Sequence, residues 1–218
     1  NGAPSNRYPP EMPGESVDVR AVLFDLDGVL VDSYQVWFHL LNGAARDLGY
    51  PPISAEVFRS GWGQGIEADV EKFYSRHTIP EIESYYGDHF GDHLEHLGVV
   101  AEVPRVFETL RERSLPTAVI TNTPAPVAWD MVKRAGGTPD LLVGGPDVPR
   151  PEPAPEMVLR ASELLEIPVG ETLVVGDSRY DREAAGAAGA VFAGLGIEGD
   201  LCLDRLIDVL RVTAAVPG

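Results

Sequence analysis

Two groups of aspartates in the sequence have the residue type and spacing that chemistry requires. The first lies in the segment FDLDGVLVDS, where Asp25 and Asp27 stand two residues apart, after an apolar run and before Gly28. One carboxylate could attack an electrophile, while the other donates a proton to the leaving group and then removes one from water. The alternative is an Asp-Gly turn in which both carboxylates only cap the next helix.

The second group lies in the segment VVGDSRYDREAA, where Asp177 follows another apolar run and Asp181 comes four residues later. Mg²⁺ is bound in proteins by oxygen ligands, usually one or two carboxylates together with water and substrate phosphate. Asp25 and Asp177 therefore predict a magnesium site, provided that the fold brings them together. The alternative is that Asp177 is the N-cap of a helix and Asp181 a solvated acid in its first turn.

Two further segments carry weaker signals. Thr121 and Asn122 follow a third apolar run and offer a hydroxyl and an amide that could hydrogen-bond a phosphoryl oxygen. Arg150 stands in the proline-rich segment VPRPEPAP, where a guanidinium could neutralise phosphate or hold the attacking carboxylate. Taken alone, Arg150 is better explained as a surface arginine.

The order of apolar runs and helical patterns predicts how these residues are positioned. Near-continuous apolar runs predict buried strands over residues 18–24, 115–120, 172–175 and 190–193. Helical patterns cover residues 103–113, 126–135, 154–165 and 179–188. This alternation predicts an α/β fold with a parallel, Rossmann-like sheet. Ligands bind beyond the carboxyl ends of such strands, and these ends carry Asp25, Thr121 and Asp177.

Residues 36–100 interrupt this alternation with three helix-like patterns and no convincing strand. These patterns cover residues 54–60, 66–77 and 82–97. We therefore expect a helical cap domain over residues 36–100, hinged near residues 34–38 and 98–103. Residues 18–35 and 101–218 would form the core domain. The first 17 residues, rich in proline and polar residues, predict a flexible N-terminal arm.

Composition excludes several classes of protein. The 218 residues include 17 basic and 34 acidic ones, for a net charge of −17, which opposes binding to nucleic acids and to anionic membranes. No apolar run approaches the roughly 18 residues of a membrane-spanning helix, so a cytoplasmic location is expected. One cysteine excludes an internal disulfide. The sequence leaves the oligomeric state open, with a monomer as the working expectation.

Together, the four motifs resemble those of the haloacid dehalogenase (HAD) superfamily of phosphotransferases. That family has DxDGxxxDS, a Thr or Ser, a Lys before a proline-rich loop, and GDSxxD, in the order found here. The resemblance covers most of residues 20–195. A helical insertion directly after the first motif is similar to the phosphoglycolate phosphatase and β-phosphoglucomutase branch, which implies a Rossmann-like parallel-sheet core with an inserted α-helical cap.

The resemblance also implies roles for individual residues. Asp25 would be the nucleophile that forms an aspartyl-phosphate, and Asp27 the general acid and base. Asp25, the backbone carbonyl of Asp27, and Asp177 would bind Mg²⁺, with Asp181 supporting the metal shell. Thr121 would bind a phosphoryl oxygen. Phosphoryl transfer needs such a site because a carboxylate must approach an anion.

One residue departs from the family pattern. Arg150 stands where the family usually has lysine, and neither Lys72 nor Lys133 is placed to substitute for it. Arginine keeps the positive charge, but its planar and bulkier head group changes the geometry of the contact. We expect Arg150 to act as the cation of the site.

The residues around the first motif narrow the reaction. HAD dehalogenases lack the second aspartate of the motif and phosphonatase relatives replace it by alanine, whereas Asp27 is present here. Mutases of the β-phosphoglucomutase type carry a histidine where this sequence has Trp37. We therefore expect hydrolysis of a small phosphomonoester: a phosphosugar, a ribosyl phosphate or a phosphorylated specialised metabolite. A phosphosugar mutase is the alternative, and an inactive HAD-like binding scaffold is a more remote one.

Substrate contacts are expected from the cap segment RSGWGQG and from residues that face it. The candidates for substrate binding are Asn122, Trp37, Arg59, Trp62 and Gln64. Trp37 and Trp62 could form an apolar wall for a bulky or ring-containing leaving group. The alternative is that both tryptophans are core residues at the cap hinge.

The cap also carries a histidine cluster. His89, His93 and His96 follow each other at helical spacing and would share one helix face. Such spacing permits a transition-metal site, but a solvated polar face explains it without a metal. We predict no zinc at this cluster.

Overall fold

The computed structural model describes residues 19–213, so the expected N-terminal arm, residues 1–17, lies outside the described residues. Eight strands lie in this range. They are β1 (Ala21–Phe24), β2 (Val31–Asp32), β3 (Gly98–Val99), β4 (Thr117–Thr121), β5 (Leu141–Gly144), β6 (Thr172–Gly176), β7 (Val191–Leu195) and β8 (Leu201–Leu203).

Nine α-helices lie in the same described range. They are α1 (Tyr34–Asp47), α2 (Ala55–Gly61), α3 (Ile66–Phe73), α4 (Ile79–His89), α5 (Val103–Glu112), α6 (Ala125–Arg134), α7 (Glu156–Leu165), α8 (Arg179–Ala188) and α9 (Val209–Val212). A 3₁₀ helix, Phe90–His96, directly follows α4.

Six strands form one parallel sheet in the order β5-β4-β1-β6-β7-β8. β1 is central and pairs in parallel with β4 and β6, so that Val22 lies beside Thr117 on one side and Leu173 on the other. All four residues of β1 are buried, as expected for a strand that is covered on both faces. The α/β fold with a parallel, Rossmann-like sheet is thus confirmed.

Helices cover both faces of this sheet. On one face, Phe24 packs against Phe107 of α5 with ring centroids 5.2 Å apart, and α6 adds Met131 to the same cluster. On the other face, Leu23 packs in a cluster with Met157 of α7 and residues of α8. Adjacent residues of β1 therefore point into two separate cores, which fixes the position of its carboxyl end.

Strands β5 and β8 were not expected from the sequence. β5 is four residues long and only half of it is buried, while β8 has three residues, so neither gives a long apolar run. Their pairing partners, β4 and β7, supply the backbone hydrogen bonds that make them strands. Tertiary pairing rather than local sequence determined these two elements.

Between β2 and β3 the chain forms the helices α1 to α4. β2 and β3 pair antiparallel, with Val31 beside Val99 and Asp32 beside Gly98. Residues 34–38 form the first turn of α1, because Val36, Trp37, Leu40 and Leu41 provide a buried helical stripe. The hinge expected near these residues stays a prediction. The expected boundaries of the cap domain, residues 36–100, stay a prediction.

The histidine cluster is arranged differently from the expected single helix face. α4 ends at His89, whose ring lies 4.2 Å from that of Tyr85. His93 and His96 lie in the 3₁₀ helix, where residues three apart share a side, and their rings stack on His39 at 6.2 and 4.2 Å. The change of helix type separates His89 from the other two.

Within residues 19–213, no helix combines the length and the apolar composition needed to cross a membrane.

Packing of α5 against the sheet can be tested at Leu110, which is fully buried. Leu110→Ala should lower the free energy of unfolding by about 2–5 kcal/mol, because it removes buried methyl groups and leaves a cavity. Glu108→Ala, on the exposed side of the same helix, should change it by less than about 0.5 kcal/mol. Urea denaturation followed by circular dichroism measures both. Equal effects would contradict the packing described for α5.

Candidate active site

Three neighbouring strands bring the chemically capable residues to one edge of the sheet. Asp25 directly follows β1, Thr121 ends β4, and Asp177 directly follows β6. Because β4, β1 and β6 are adjacent and parallel, these side chains converge. All three line a cavity of about 350 Å³ that lies between this edge and helices α1 to α4.

The turn after β1 depends on Gly28. Its φ of +86° is a conformation that side chains rarely adopt, and a Cβ atom there would lie 1.9 Å from Oδ2 of Asp177. The Gly28 N–H donates to the carbonyl of Val31 at 2.7 Å. Glycine thus allows the loop that carries Asp25 and Asp27 to approach Asp177 closely.

Asp27 is held by two hydroxyl groups. The Ser33 hydroxyl donates to its Oδ1, and Thr123 Oγ1 donates to its Oδ2 at 3.4 Å. Burial raises the pKa of Asp27 to about 6, although these hydrogen bonds act in the opposite direction. A carboxyl group with a pKa near 6 can both give and take a proton near neutral pH.

Thr121 presents its hydroxyl toward the cavity. The backbone N–H of Thr123 donates to Thr121 Oγ1 at 3.2 Å, and the Thr121 side chain is buried. With this acceptor position occupied, the hydroxyl proton stays available for an oxygen in the cavity.

Asp181 is both the first-turn acid of α8 and a residue of the cavity, but it is buried rather than solvated, and the N-cap of α8 is Ser178 rather than Asp177. Its Oδ2 accepts from the Ser178 hydroxyl at 2.6 Å and from the Ser178 N–H at 2.9 Å, which forms a capping box at the start of α8. Its Oδ1 is buried and has no hydrogen-bond partner. One oxygen therefore fixes the helix, and the other is left for the site.

Glu152 is a site residue that sequence reasoning missed. It lies two residues after Arg150 in the proline-rich loop, is only 9% exposed, and its Oε1 has no hydrogen-bond partner. Asp25, Glu152 and Asp181 each place a carboxylate oxygen within 4.8 Å of the other two. The signal available in the sequence was an acidic residue within VPRPEPAP. It was overlooked because Arg150, as a cation, was the better candidate for a phosphate contact.

Arg150 does not reach the site. Its side chain is 75% exposed, and its Nε donates to Glu156 at the start of α7. Among the described residues, no lysine or arginine lines the cavity. The expectation that Arg150 supplies the cation of the site is therefore corrected: the loop turns Glu152 inward and Arg150 outward.

Asn122 holds the loop that carries Glu152. Its Oδ1 accepts from the Glu152 N–H at 3.0 Å, and its Nδ2 donates to the Glu152 carbonyl at 3.4 Å. Nδ2 also donates to the Gly63 carbonyl at 3.0 Å, which joins the cap segment to the sheet edge. Asn122 lines the cavity, but its amide is engaged by backbone groups, so the structure makes it a positioning residue.

The wall opposite the sheet edge is largely aromatic. Trp37 and Trp62 both line the cavity, as expected, together with Gln64 and Tyr86, whereas Arg59 is exposed and does not. Trp37 also packs against Tyr86 with ring centroids 5.4 Å apart, so it belongs to the core of the helical region as well.

A single carboxyl group stands within this wall. Tyr86 donates its hydroxyl to Asp69 Oδ2 at 3.0 Å, and both residues line the cavity. Burial raises the pKa of Asp69 to about 7.

Electrostatic repulsion dominates the sheet edge. Burial raises the pKa of Asp25 well above its ordinary value, and the nearby Asp181 and Glu152 carboxylates raise it further. Burial, and then Asp181, raise the pKa of Asp177 to about 6. Carboxylates crowded in this way need protons or a cation. The donor set consists of hard oxygens, and Asp181 Oδ1 lacks a partner, so the residues present fit a divalent cation such as Mg²⁺.

Comparison with known proteins agrees with this geometry. Residues 22–195 match the family described as haloacid dehalogenase-like hydrolase. The chain is 32% identical over 205 residues to a phosphoglycolate phosphatase of Neisseria meningitidis, covering 88% of this chain and 87% of that protein. It is 32% identical over 181 residues to a phosphoglycolate phosphatase of Rhodobacter capsulatus, covering 79% and 82%.

Solved structures show the same fold. CbbY from Rhodobacter sphaeroides, solved in complex with phosphate, has a TM-score of 0.78 and is 20% identical, covering 90% of this chain and 99% of that one. The motifs, the sheet and these relatives lead to one conclusion: the chain belongs to the haloacid dehalogenase-like hydrolase family and is a hydrolase of phosphate monoesters.

Proposed function

We propose that this protein is a Mg²⁺-dependent phosphatase that forms an aspartyl-phosphate on Asp25. The observation that carries the proposal is the convergence of Asp25, Asp27, Thr121 and Asp177 on one cavity. Within the described residues no hydrogen bond ties up the Asp25 carboxylate, so its oxygens can face a phosphorus atom. The buried surroundings would exclude bulk water while the phosphoryl group is transferred.

Each side chain has a separate task in the proposed reaction. Asp25 attacks phosphorus, Asp27 protonates the leaving oxygen, and Asp27 then removes a proton from the water that hydrolyses the aspartyl-phosphate. Thr121 donates its hydroxyl to a phosphoryl oxygen. Asp25, Asp177 and the backbone carbonyl of Asp27 would hold Mg²⁺, which when bound offsets the repulsion between the Asp25 carboxylate and the phosphoryl oxygens.

The cavity wall supports a ring-containing and uncharged leaving group. Trp37, Trp62 and Tyr86 offer apolar faces, and Asp69 can accept a hydrogen bond from a hydroxyl group. A carboxylate such as that of phosphoglycolate, named for the bacterial relatives, would meet Asp69 and no lysine or arginine among the described residues of the wall. Phosphosugars and ribosyl phosphates fit this wall better than phosphoglycolate does.

Asp25→Asn should reduce phosphate release by at least about a thousandfold, because an amide cannot take the place of the attacking carboxylate. Phosphate release from p-nitrophenyl phosphate with Mg²⁺ measures this effect. Asp32→Asn is the matched control, since Asp32 lies in the same segment but does not line the cavity. Retention of more than about a thousandth of wild-type activity in Asp25→Asn would exclude Asp25 as the nucleophile.

Asp27→Asn should slow turnover of an alkyl phosphate by about 10²–10⁴-fold, because the leaving alkoxide and the attacking water both lose their proton partner. With p-nitrophenyl phosphate, whose leaving group needs no proton, the first step should be partly restored. Rapid-mixing measurement of the p-nitrophenolate burst separates this step from hydrolysis. An equal loss for both substrates would show that Asp27 is not the general acid.

Substrate preference can be tested with a panel of phosphomonoesters. Assayed at pH 8 or above, where Asp69 with its pKa of about 7 is ionised, pentose, hexose and nucleoside monophosphates should have kcat/KM values at least about tenfold above that of phosphoglycolate, because Asp69 repels the glycolate carboxylate. Asp69→Asn should narrow this ratio by raising kcat/KM for phosphoglycolate. If phosphoglycolate were the best substrate of the wild-type enzyme, the proposed leaving-group class would be wrong.

A further inference from the structure

We propose that Asp25, Glu152 and Asp181 form a second divalent-cation site, distinct from the one expected at Asp25 and Asp177. The three side chains come from three separate parts of the chain: the end of β1, the proline-rich loop and the first turn of α8. All three are buried, and their nearest carboxylate oxygens lie within 4.8 Å of one another.

Two unpartnered oxygens point to a ligand at this position. Glu152 Oε1 and Asp181 Oδ1 are both buried and lack a hydrogen-bond partner, while the residues are only 9% and 1% exposed. Leaving a buried polar atom without a partner is unfavourable, and such atoms are rare in folded proteins. A cation between the two oxygens would satisfy both at once.

The surrounding hydrogen bonds hold these oxygens in place. Ser178 binds only Oδ2 of Asp181, which leaves Oδ1 on the side of the cavity. Asn122 binds the backbone of Glu152 at its N–H and its carbonyl and so holds this part of the loop, while Oε1 of the Glu152 carboxylate has no hydrogen-bond partner. The site is therefore preorganised by groups that do not compete for the cation.

The spacing of the oxygens suits a hard divalent cation. Oxygen ligands lie about 2.3–2.6 Å from Ca²⁺ and about 2.0–2.1 Å from Mg²⁺, so two ligands of one ion lie at most about 5 Å apart for Ca²⁺ and about 4 Å apart for Mg²⁺. The three oxygens, all within 4.8 Å of one another, meet the limit for Ca²⁺ as they stand, and a small inward shift of the side chains would meet it for a smaller ion such as Mg²⁺ or Mn²⁺. No three-residue group within residues 19–213 that includes Asp177 meets the same condition, which separates this site from the Asp25–Asp177 pair.

The function of the second ion would be to offset negative charge at the sheet edge of the cavity. Five carboxyl groups line the sheet edge of the cavity, at Asp25, Asp27, Glu152, Asp177 and Asp181, and none of the described lysines or arginines lines it. A phosphate monoester would add further negative charge. One divalent cation leaves this edge strongly negative, whereas a second ion beside Glu152 would offset the charge that Arg150, turned outward, does not.

Cation stoichiometry without substrate tests this site, and the outcome does not depend on the proposed phosphatase activity. Mn²⁺ binding to the full chain, followed by electron paramagnetic resonance, should give two ions per wild-type chain. Glu152→Gln should bind one ion, because it loses a charged ligand. Glu156→Gln is the matched control: Glu156 is the first residue of α7 and its Oε2 is also buried without a hydrogen-bond partner, but it does not line the cavity, so both ions should remain.

Thermal denaturation provides a second measurement. Mn²⁺ should raise the melting temperature of wild-type protein more than that of Glu152→Gln, because a ligand that binds only the folded state stabilises it. If Glu152→Gln does not fold, Glu152→Asp keeps the charge but shortens the side chain, and should bind the second ion at least about tenfold more weakly.

One ion per wild-type chain would overturn the proposal and would instead support a proton shared between Glu152 and Asp181. Two ions retained in Glu152→Gln would also overturn it, because the second ion would then bind without the Glu152 carboxylate. Phosphatase activity that is lost in Asp25→Asn but accompanied by a single bound ion would leave the proposed function standing and remove only the second site.

Discussion

Repulsion among buried carboxyl groups is the constraint on which the site of this protein depends. The parallel pairing of β1 with β4 and β6 brings Asp25, Thr121 and Asp177 to one edge, and burial there raises the pKa of Asp25 and Asp177. The two cores packed on either face of β1 hold this edge in place. Packing energy elsewhere in the fold thus holds together carboxyl groups that repel each other. A cation bound between them relieves this repulsion, and its binding is favoured for that reason.

Hydrogen bonds to one part of a side chain leave another part of the same side chain free for the site. Asp181 uses one oxygen in the capping box of α8, and its other oxygen has no hydrogen-bond partner. The side-chain amide of Asn122 hydrogen-bonds to the backbone of Glu152 and to the carbonyl of Gly63. The motif GDSRYD left open whether Asp181 stabilises a helix or belongs to the site. The same carboxylate does both, with one oxygen for each task.

The helical region between β2 and β3 forms the wall of the cavity opposite the sheet edge. Trp37 and Trp62 line the cavity, and Trp37 also packs against Tyr86 and Phe90, so the apolar wall and the core of this region share a residue. Asn122 links this region to the sheet edge through Gly63. The aromatic wall of the cavity and the position of Glu152 are therefore physically connected.

The sequence by itself determined the fold class and the acidic motifs, because buried strands and the turns after them leave strong local patterns at Asp25 and Asp177. It could not determine β5 and β8, which are short and depend on partner strands, nor α1, which was not among the predicted helices. Above all, only the tertiary structure decided which residue of the segment RPEP faces the site. Arg150 and Glu152 differ by two positions, and their directions depend on the path of the loop and on the hold of Asn122 rather than on their own chemistry.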